Sequence, residues 1–270
     1  QYLSRNAQVL DAVLGGQFFD DWAGCDALTA QLAAVLKAAP DYEAQLIAAR
    51  VWAKEWHFRI GVHYLRGLTD ADTSGAQYAD LAQAVLTALW PVVVAEFARK
   101  HGDQPGRGAV ILGMGSLGAG RLNATSDLDL IMIYDAQGAD ASGGPRPLST
   151  RPYYARLTQA LVTALTAPMA EGRLYEVDMR LRPSGRAGPV ATSLDAFRTY
   201  QNEEAWTWEH LALTRARAVA GDAGLAQDVD TVRRDVIAAK GQGATVLADL
   251  ADMRTRIAQA KPADGDWDAK

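Results

Sequence analysis

The chain has 270 residues, of which 49% are hydrophobic and 22% are charged, and its formal net charge is -5. This composition predicts a folded protein with a sizeable core, and the acidic balance without a basic cluster excludes nucleic acid as a partner. The longest uncharged run, residues 81–95, is shorter than the ~20 residues of a membrane span and predicts a buried helix rather than a membrane segment. One cysteine and no signal-like start favour the cytoplasm, and the opening Gln predicts a piece of a longer protein.

Helical periodicity dominates the first part of the chain. Apolar residues recur at three- and four-residue steps over residues 41–67 and again over 73–99, where Pro91 predicts a kink or a helix start. Three strand-like segments follow at 106–115, 128–134 and 174–182, with a polar loop at 138–147 and a helix at 153–165 between the last two. The helical period returns from residue 194. We therefore predict an α+β protein with a helical region over 1–105, a mixed α/β core over 106–192 and a helical region over 193–270.

Residues 113–135, GMGSLGAGRLNATSDLDLIMIYD, contain two competing motifs. GMGSLG matches the glycine turn of a dinucleotide-binding fold, with Asp135 near the usual place of a ribose-binding acid. That interpretation needs a crossover helix over 117–127, a segment with glycines at one end and Asn, Thr and Ser at the other. It would also place Asp127 and Asp129 in a parallel sheet, which is normally apolar on both faces. We therefore favour the interpretation in which the aspartates carry the function.

Asp127 and Asp129 project from one face of a strand, because strand side chains alternate, while Leu128 and Leu130 point into the core. Two neighbouring carboxylates repel each other unless a cation lies between them, and carboxylate oxygens suit Mg²⁺. The sequence therefore predicts a cation at the start of this strand.

The segment 174–182 alternates with period two and adds a third carboxylate, Asp178. If it is a strand, Glu176, Asp178, Arg180 and Arg182 share one face. Three carboxylates on neighbouring strands can hold two metal ions, the arrangement that serves an in-line phosphoryl displacement. The glycine turn would then bring backbone N–H groups and the Ser116 hydroxyl to a triphosphate.

Each of these elements also has a plainer interpretation. Asp127 could belong to a turn, Asp178 could be a solvent-facing residue paired with Arg180, and Ser116 could be only a turn former. Their order along the chain, a glycine-serine turn, a polar spacer, D-x-D and then D-x-R-x-R, favours phosphoryl chemistry over this alternative.

That order is the order of the DNA polymerase beta-like nucleotidyltransferases. More specifically, the chain resembles the bifunctional glutamine synthetase adenylyltransferase/adenylyl-removing enzymes in residues 113–135, in LYEVDMRLRPSGRAGPVATSLDAF (174–197) and in EEAWTWEHLALTRARAVAGD (203–222). The likeness extends to SRNAQVLDAVL (4–14) and to the 41–67 helix. In that family one half attaches AMP to a tyrosine of glutamine synthetase and the other half removes it. EAWTWEH, at 204–210, resembles the attaching, C-terminal half rather than the G-R-E-W-E-R-like form of the other.

The resemblance implies a polymerase beta-like nucleotidyltransferase core over 106–192, two Mg²⁺ ions and ATP as a substrate. By that resemblance Asp127, Asp129 and Asp178 are the catalytic metal ligands. The residues expected at the ATP phosphates are Gly115, Ser116 and Ser126, with Arg180 and Arg182 as helpers. Ser116 stands where the family usually has Lys, which removes a positive charge near the triphosphate.

The implied reaction transfers AMP from ATP to a tyrosine of glutamine synthetase and releases pyrophosphate. The implied partners are glutamine synthetase as substrate, with the nitrogen-regulatory PII protein and glutamine as effectors of the full-length enzyme. Two alternatives stay open: the reverse task, phosphorolysis of AMP-tyrosine, and a regulatory module that binds ATP without turnover. The chain ends before the family's next glycine-rich and helical segment, so we expect its C-terminal region to be truncated.

Two further groups of residues have open roles. Trp206, Glu209 and Leu213 are predicted to share a helical face, so the tryptophans are expected to pack against the strands. Arg215 and Arg217 are expected either to reach a phosphate or to cap backbone carbonyls.

Overall fold

A computed structural model describes residues 17–243 and 246–260. Three long helices come first, followed by a stretch in which strands and helices alternate. The first elements are α1 (Gly24–Ala38), α2 (Tyr42–Leu65), α3 (Ala71–His101), β1 (Gly108–Gly113), α4 (Gly115–Gly118), β2 (Leu128–Asp135) and α5 (Thr150–Thr166). The rest are β3 (Val177–Asp178), β4 (Ala191–Ser193), α6 (Leu194–Glu203), α7 (Thr207–Leu213), β5 (Arg217–Gly221), α8 (Ala223–Lys240) and α9 (Val246–Ala260). The first 16 residues of the predicted helical region, which include the family-like segment 4–14, lie outside the described residues.

The helices expected over 41–67 and 73–99 are confirmed as α2 and α3. Each begins at an aspartate whose carboxylate accepts a backbone N–H of the first turn: Asp41 from Ala44 at 2.8 Å and Asp70 from Thr73 at 2.7 Å. Helix α3 runs through Pro91, which is therefore not a helix start.

Helix α3 is the centre of the helical region. It packs against α1, α2, α5 and β5, and Leu81, Leu86 and Leu89 are fully buried. Among the described helices it alone is long and apolar enough to cross a membrane by length and composition, with a mean hydropathy of 1.7. Half of that apolar stretch is buried inside the protein. The burial agrees with the prediction for residues 81–95.

The sheet is mixed. Its strand order is β3–β2–β1–β5, and β4 also pairs with β2. Strand β1 is antiparallel to β2 and to β5, whereas β3 and β4 are parallel to β2 and lie beside its beginning and its later part respectively. A dinucleotide-binding fold needs parallel β1 and β2 joined by a true crossover helix, but α4 has only four residues. Because β1 and β2 are antiparallel and the helix between them is so short, the dinucleotide interpretation is wrong. Asp135, its expected ribose-binding acid, forms an ion pair with Arg107 at 3.7 Å.

Helices cover both faces of the sheet. On one face Leu128, Leu130 and Met132 of β2 pack with α1, α2, α3 and α5. On the other face Ile131 and Ile133 pack with apolar residues of α6, α7 and α8. The sequence and these layers establish an α+β protein, while the division at residues 105/106 and 192/193 stays a prediction.

Two expectations about the strands need correction. The segment 174–182 is not a nine-residue strand, because only Val177–Asp178 pairs with β2. The Asp178 carboxylate accepts the backbone N–H of Arg180 at 2.8 Å, and this local bond turns the chain out of the sheet. In addition, residues 217–221, which fall in the predicted C-terminal helical region, form β5 and pair with the free edge of β1.

The expectation that the tryptophans pack against the strands is wrong. Helix α7 starts at Thr207, so Trp206 precedes it and does not share its helical face. Trp206 is 72% exposed and Trp208 is 42% exposed, while Glu209 and Leu213 are buried. Glu209 closes the first turn by accepting the Trp206 N–H at 3.0 Å.

Candidate active site

The three aspartates of the sequence prediction lie near the beginning of β2. Asp129 is the second residue of β2, and Asp127 immediately precedes the strand. Asp178 of β3 is the register partner of Asp129 in the parallel pair. Because partners in adjacent strands project from the same face, the carboxylates of Asp129 and Asp178 leave the sheet side by side. Asp129 is two residues before Ile131 and four before Ile133, so its side chain projects from the same face of the sheet. Ile131 and Ile133 are covered by apolar helix residues, whereas Asp129 is only partly buried.

The glycine turn lies directly against Asp129. The Met114 N–H donates to the Asp129 carbonyl at 2.9 Å. Gly115 has φ +53°, and a Cβ at that position would be 2.2 Å from Asp129 Oδ2. Residues with a side chain rarely adopt this backbone conformation, and only glycine allows so close an approach. Ser116, the next residue, is exposed at the same edge.

The carboxylates crowd one another electrostatically. Burial raises the pKa of Asp129, and the negative charges of Asp127 and Asp178 raise it further. The pKa of Asp178 is lowered instead, first by its side-chain hydrogen bond with the Arg180 guanidinium. The negative charge of Asp178 is therefore paired with a cation, whereas burial and like charges dominate at Asp129.

Arg180 and Arg182 behave differently from each other. Arg180 Nε donates to Asp178 Oδ2 at 2.6 Å, and a second guanidinium nitrogen pairs with the same oxygen. Arg182 donates to the carbonyls of Met179, at 2.7 Å, and Gly188, at 3.4 Å. The structure thus brings Arg180 to the carboxylates, whereas Arg182 folds back onto the turn that follows β3.

Ser126 closes the loop in front of the D-x-D segment. Its hydroxyl oxygen accepts the Asn123 N–H at 3.0 Å, and its own N–H donates to the Asn123 carbonyl at 3.2 Å. Ser126 also lines a cavity of about 270 Å³ whose other walls include Tyr78, Tyr175 and His57. Burial lowers the pKa of His57, so this wall of the cavity is uncharged at neutral pH.

Arg215 and Arg217, whose roles the sequence left open, are separated by the structure. Arg217 caps carbonyls of the glycine turn, donating to Gly118 at 3.2 Å and to Leu117 at 3.3 Å. Arg215 is exposed, and its positive charge lowers the pKa of Asp129. Arg186, which lies in the turn after β3, acts in the same way on Asp178 and was missed by the sequence reasoning. Its only signal in the sequence is its place three residues after the R-L-R-P run.

The donor set fits a divalent cation in chemistry. Asp129 and Asp178 are register partners, and the negative charges of Asp127 and Asp178 add to the effect of burial in raising the pKa of Asp129. Within residues 17–243 and 246–260, however, no group of three His, Cys, Asp or Glu side chains is already close enough to hold a metal ion. The Arg180 guanidinium takes the place of a cation at Asp178 in this conformation.

Comparison with known sequences gives one family. The sequence model of a family described as "Glutamate-ammonia ligase adenylyltransferase" matches residues 1–232. Over 99% of its length the chain is 44% identical to a bifunctional glutamine synthetase adenylyltransferase/adenylyl-removing enzyme of Mesorhizobium japonicum and 43% identical to one of Brucella suis. It is 42% identical, over 100% of its length, to the protein of the same name in Agrobacterium fabrum.

The chain spans 27% of the length of each of these relatives, whose names describe a transferase and a removing activity together. The match nevertheless covers the glycine turn, the D-x-D strand and the R-L-R-P segment in one continuous alignment. The chain therefore belongs to the glutamate-ammonia ligase adenylyltransferase family.

Proposed function

We propose that this chain is a polymerase beta-like nucleotidyltransferase core that transfers AMP from ATP to a tyrosine of glutamine synthetase. The observation that carries the proposal is the register of Asp129 with Asp178, directly beside the glycine turn. Parallel pairing of β2 and β3 sets two carboxylates next to each other, and the phosphate-binding type of turn precedes them in the chain.

The chemistry is a displacement at the α-phosphorus of ATP. The phenol oxygen of the tyrosine forms a bond to this phosphorus, the bond to the β-phosphate oxygen breaks, and pyrophosphate leaves while the phenol proton passes to water. Asp127, Asp129 and Asp178 would hold Mg²⁺, the ion that the resemblance implies. Bound Mg²⁺ would supply positive charge beside the triphosphate and beside a phenolate that otherwise forms only near pH ~10.

The protein's own groups position the nucleotide. Gly118 N–H makes the first internal hydrogen bond of the turn, to the Met114 carbonyl at 2.8 Å, so the N–H groups before it have no partner inside the helix. These N–H groups and the exposed Ser116 hydroxyl are donors for phosphate oxygens. Arg180 would be free to donate to a phosphate if a cation held Asp178 in its place.

Two rival functions rest on specific observations. The names of the relatives join a transferase to a removing enzyme, and the chain covers only 27% of them, so phosphorolysis of AMP-tyrosine is the first rival. The segment EAWTWEH favours the transferase, although in the structure Glu209 of this segment caps a helix rather than reaching the carboxylates. The second rival is ATP binding without turnover, which the Arg180–Asp178 pairing and the open carboxylate set make concrete.

The test is incubation of the 270-residue chain with unmodified glutamine synthetase, Mg²⁺ and ATP labelled at the α-phosphate. We expect label on the protein substrate together with pyrophosphate release. Release of labelled ADP from AMP-modified glutamine synthetase and phosphate, without any forward labelling, would establish the removing activity instead. ATP binding with neither reaction would establish the module without turnover.

A further inference from the structure

Arg215 is a cation without a partner at the edge of the candidate active site. It lies in the short connection between α7 and β5, and its side chain is exposed. Its backbone N–H donates to the Ala212 carbonyl at 3.3 Å, but its guanidinium has no hydrogen bond or ion pair with any residue that the structure describes. An unpaired guanidinium at the edge of this site is available to an anionic ligand.

The backbone beneath Arg215 is fixed against the glycine turn. A Cβ at Gly118 would be 2.0 Å from the Arg215 carbonyl oxygen, so the two backbones are in direct contact. Arg217 is the register partner of Gly113 and ties this connection to the carbonyls of Leu117 and Gly118. Arg215 is therefore held at the glycine turn, and its freedom is confined to its side chain.

Arg215 lies on the opposite flank of Asp129 from Asp178, and this position indicates which reacting group it could contact. In the strand order β3–β2–β1–β5, Asp178 lies on one flank of Asp129, while the glycine turn and Arg215 lie on the other. In an in-line displacement the attacking and leaving groups stand on opposite sides of the phosphorus. Because the phosphate-binding donors lie at the glycine turn, we assign this flank to the leaving pyrophosphate.

The positive charges near the glycine turn support the assignment of Arg215 to the leaving group. Residues 115–118, GSLG, contain no positive charge. Arg180 is bound to Asp178, and Arg217 is used by backbone carbonyls and by Gln83. The Arg215 carbonyl lies against Gly118, so this unpaired guanidinium is attached directly at the turn.

We propose that Arg215 binds the β- and γ-phosphates of the nucleotide at the glycine turn and thereby holds the leaving pyrophosphate. The guanidinium offers paired N–H donors, which match phosphate oxygens bidentately and without competition from an existing partner. This assignment rests on the proposed use of ATP, but it concerns polyphosphate binding, which can be measured without transfer.

The experiment is calorimetric titration of the 270-residue chain with inorganic tripolyphosphate and, separately, with AMP, both in Mg²⁺. We expect Arg215→Gln to weaken tripolyphosphate binding by on the order of 10- to 100-fold, the value of hydrogen bonds to a charged group. AMP, which lacks the β- and γ-phosphates, should bind the variant and the wild type within about twofold of each other, as expected for lost contacts to those two phosphates alone.

Arg215→Lys keeps the charge but not the paired donors, so it should recover part of the lost affinity. The matched control is Arg156→Gln, which removes an exposed arginine of α5 and should leave tripolyphosphate binding unchanged. Circular dichroism and the melting temperature should show that Arg215→Gln is folded.

Equal binding of tripolyphosphate by Arg215→Gln and the wild type would overturn the inference. So would equal losses for AMP and tripolyphosphate, or the absence of tripolyphosphate binding by the wild type. If binding depends on Arg215 while glutamine synthetase is not labelled, the proposed transfer fails and the role of Arg215 stands. If glutamine synthetase is labelled while tripolyphosphate binding does not depend on Arg215, the proposed transfer stands and the role of Arg215 fails.

Discussion

Arg50 in the helical region and Asp129 in the sheet are both charged groups withdrawn from water, but they are treated in opposite ways. Arg50 is 0% exposed, and burial lowers its pKa. Each of its guanidinium nitrogens donates to a backbone carbonyl at 2.8–2.9 Å. The accepting carbonyls belong to Leu46, Ala164, Ala167 and Gly172.

The pKa of Asp129 is raised by burial and by the negative charges of Asp127 and Asp178, which Arg180 and Arg215 oppose only in part. Its neighbour Asp178 is paired with the exposed side chain of Arg180. The two regions show how a structural buried charge can be distinguished from one at a ligand site. A charge whose every nitrogen is bonded to the fold joins elements together, here α2 to the end of α5. A charge whose compensation is incomplete marks a place where a ligand completes the set.

Asp129→Asn is the largest expected break in this comparison. It should lower adenylyl transfer by on the order of 10²–10³-fold, as the loss of one preorganised charged group does in other active sites. In chelator the same variant should be more stable than the wild type by about 0.5–1 kcal/mol, since a repelling charge is removed. Steady-state rates and urea unfolding measure the two effects. An active Asp129→Asn, or one that is less stable without metal, would contradict the account.

Arg50→Met should do the reverse. It leaves several buried carbonyls without a donor, at ~1 kcal/mol or more for each, so the free energy of unfolding should fall by about 3 kcal/mol. The turnover number per folded molecule should not change. Urea unfolding compared with Arg66→Met, an exposed arginine just after the same helix, checks this. Similar losses for both variants would show that the carbonyl bonds of Arg50 do not matter.

The glycine pair Gly115 and Gly120 sharpens the comparison at the site itself. Both have positive φ, +53° and +70°, so replacement by Ala should cost each about 1 kcal/mol of stability. Only the Cβ at position 115 meets Asp129, whereas nothing lies within 4 Å of a Cβ at 120. We therefore expect Gly115→Ala alone to lower transfer, by on the order of tenfold, through displacement of the carboxylate. Equal activities of the two variants would count against the contact with Asp129.

Tyr153 offers the smallest test and a pH dependence. This buried residue of the scaffold donates its hydroxyl to the Gly102 carbonyl at 2.8 Å, and burial raises its pKa from 10.0 to about 12. Below pH ~10 the wild type should exceed Tyr153→Phe in stability by about 1 kcal/mol.

The unfolded state ionises first, because its pKa is the lower one, so the wild-type advantage should be lost as the pH rises from 10 towards 12. Unfolding titrations of both proteins across this range measure the difference. A difference that stays constant to pH 12 would contradict the burial effect.

The sequence predicted what depends on simple periodicity. Helices α2 and α3 follow from their apolar spacing, and the alternation along β2 places Leu128 and Leu130 in the core, with Asp129 on the opposite face. The assignment of Asp127, Asp129 and Asp178 to metal stays a prediction.

What failed depends on local hydrogen bonds and on pairing across the sheet. The 174–182 alternation ends at Asp178 because its carboxylate binds the Arg180 N–H, and Arg182 consequently turns away. Strand β5 consists largely of small residues and forms because β1 has a free edge, which no local pattern reveals. The contrast between Arg215 and Arg217 likewise requires the position of the Gly118 backbone.

The most direct test of the central claim is a crystal of the chain soaked with ATP and Mn²⁺ and measured for anomalous scattering. The account predicts manganese bound to the carboxylates of Asp129 and Asp178, with the Arg180 guanidinium displaced from Asp178. Manganese bound elsewhere, or none bound while Arg180 still holds Asp178, would contradict it.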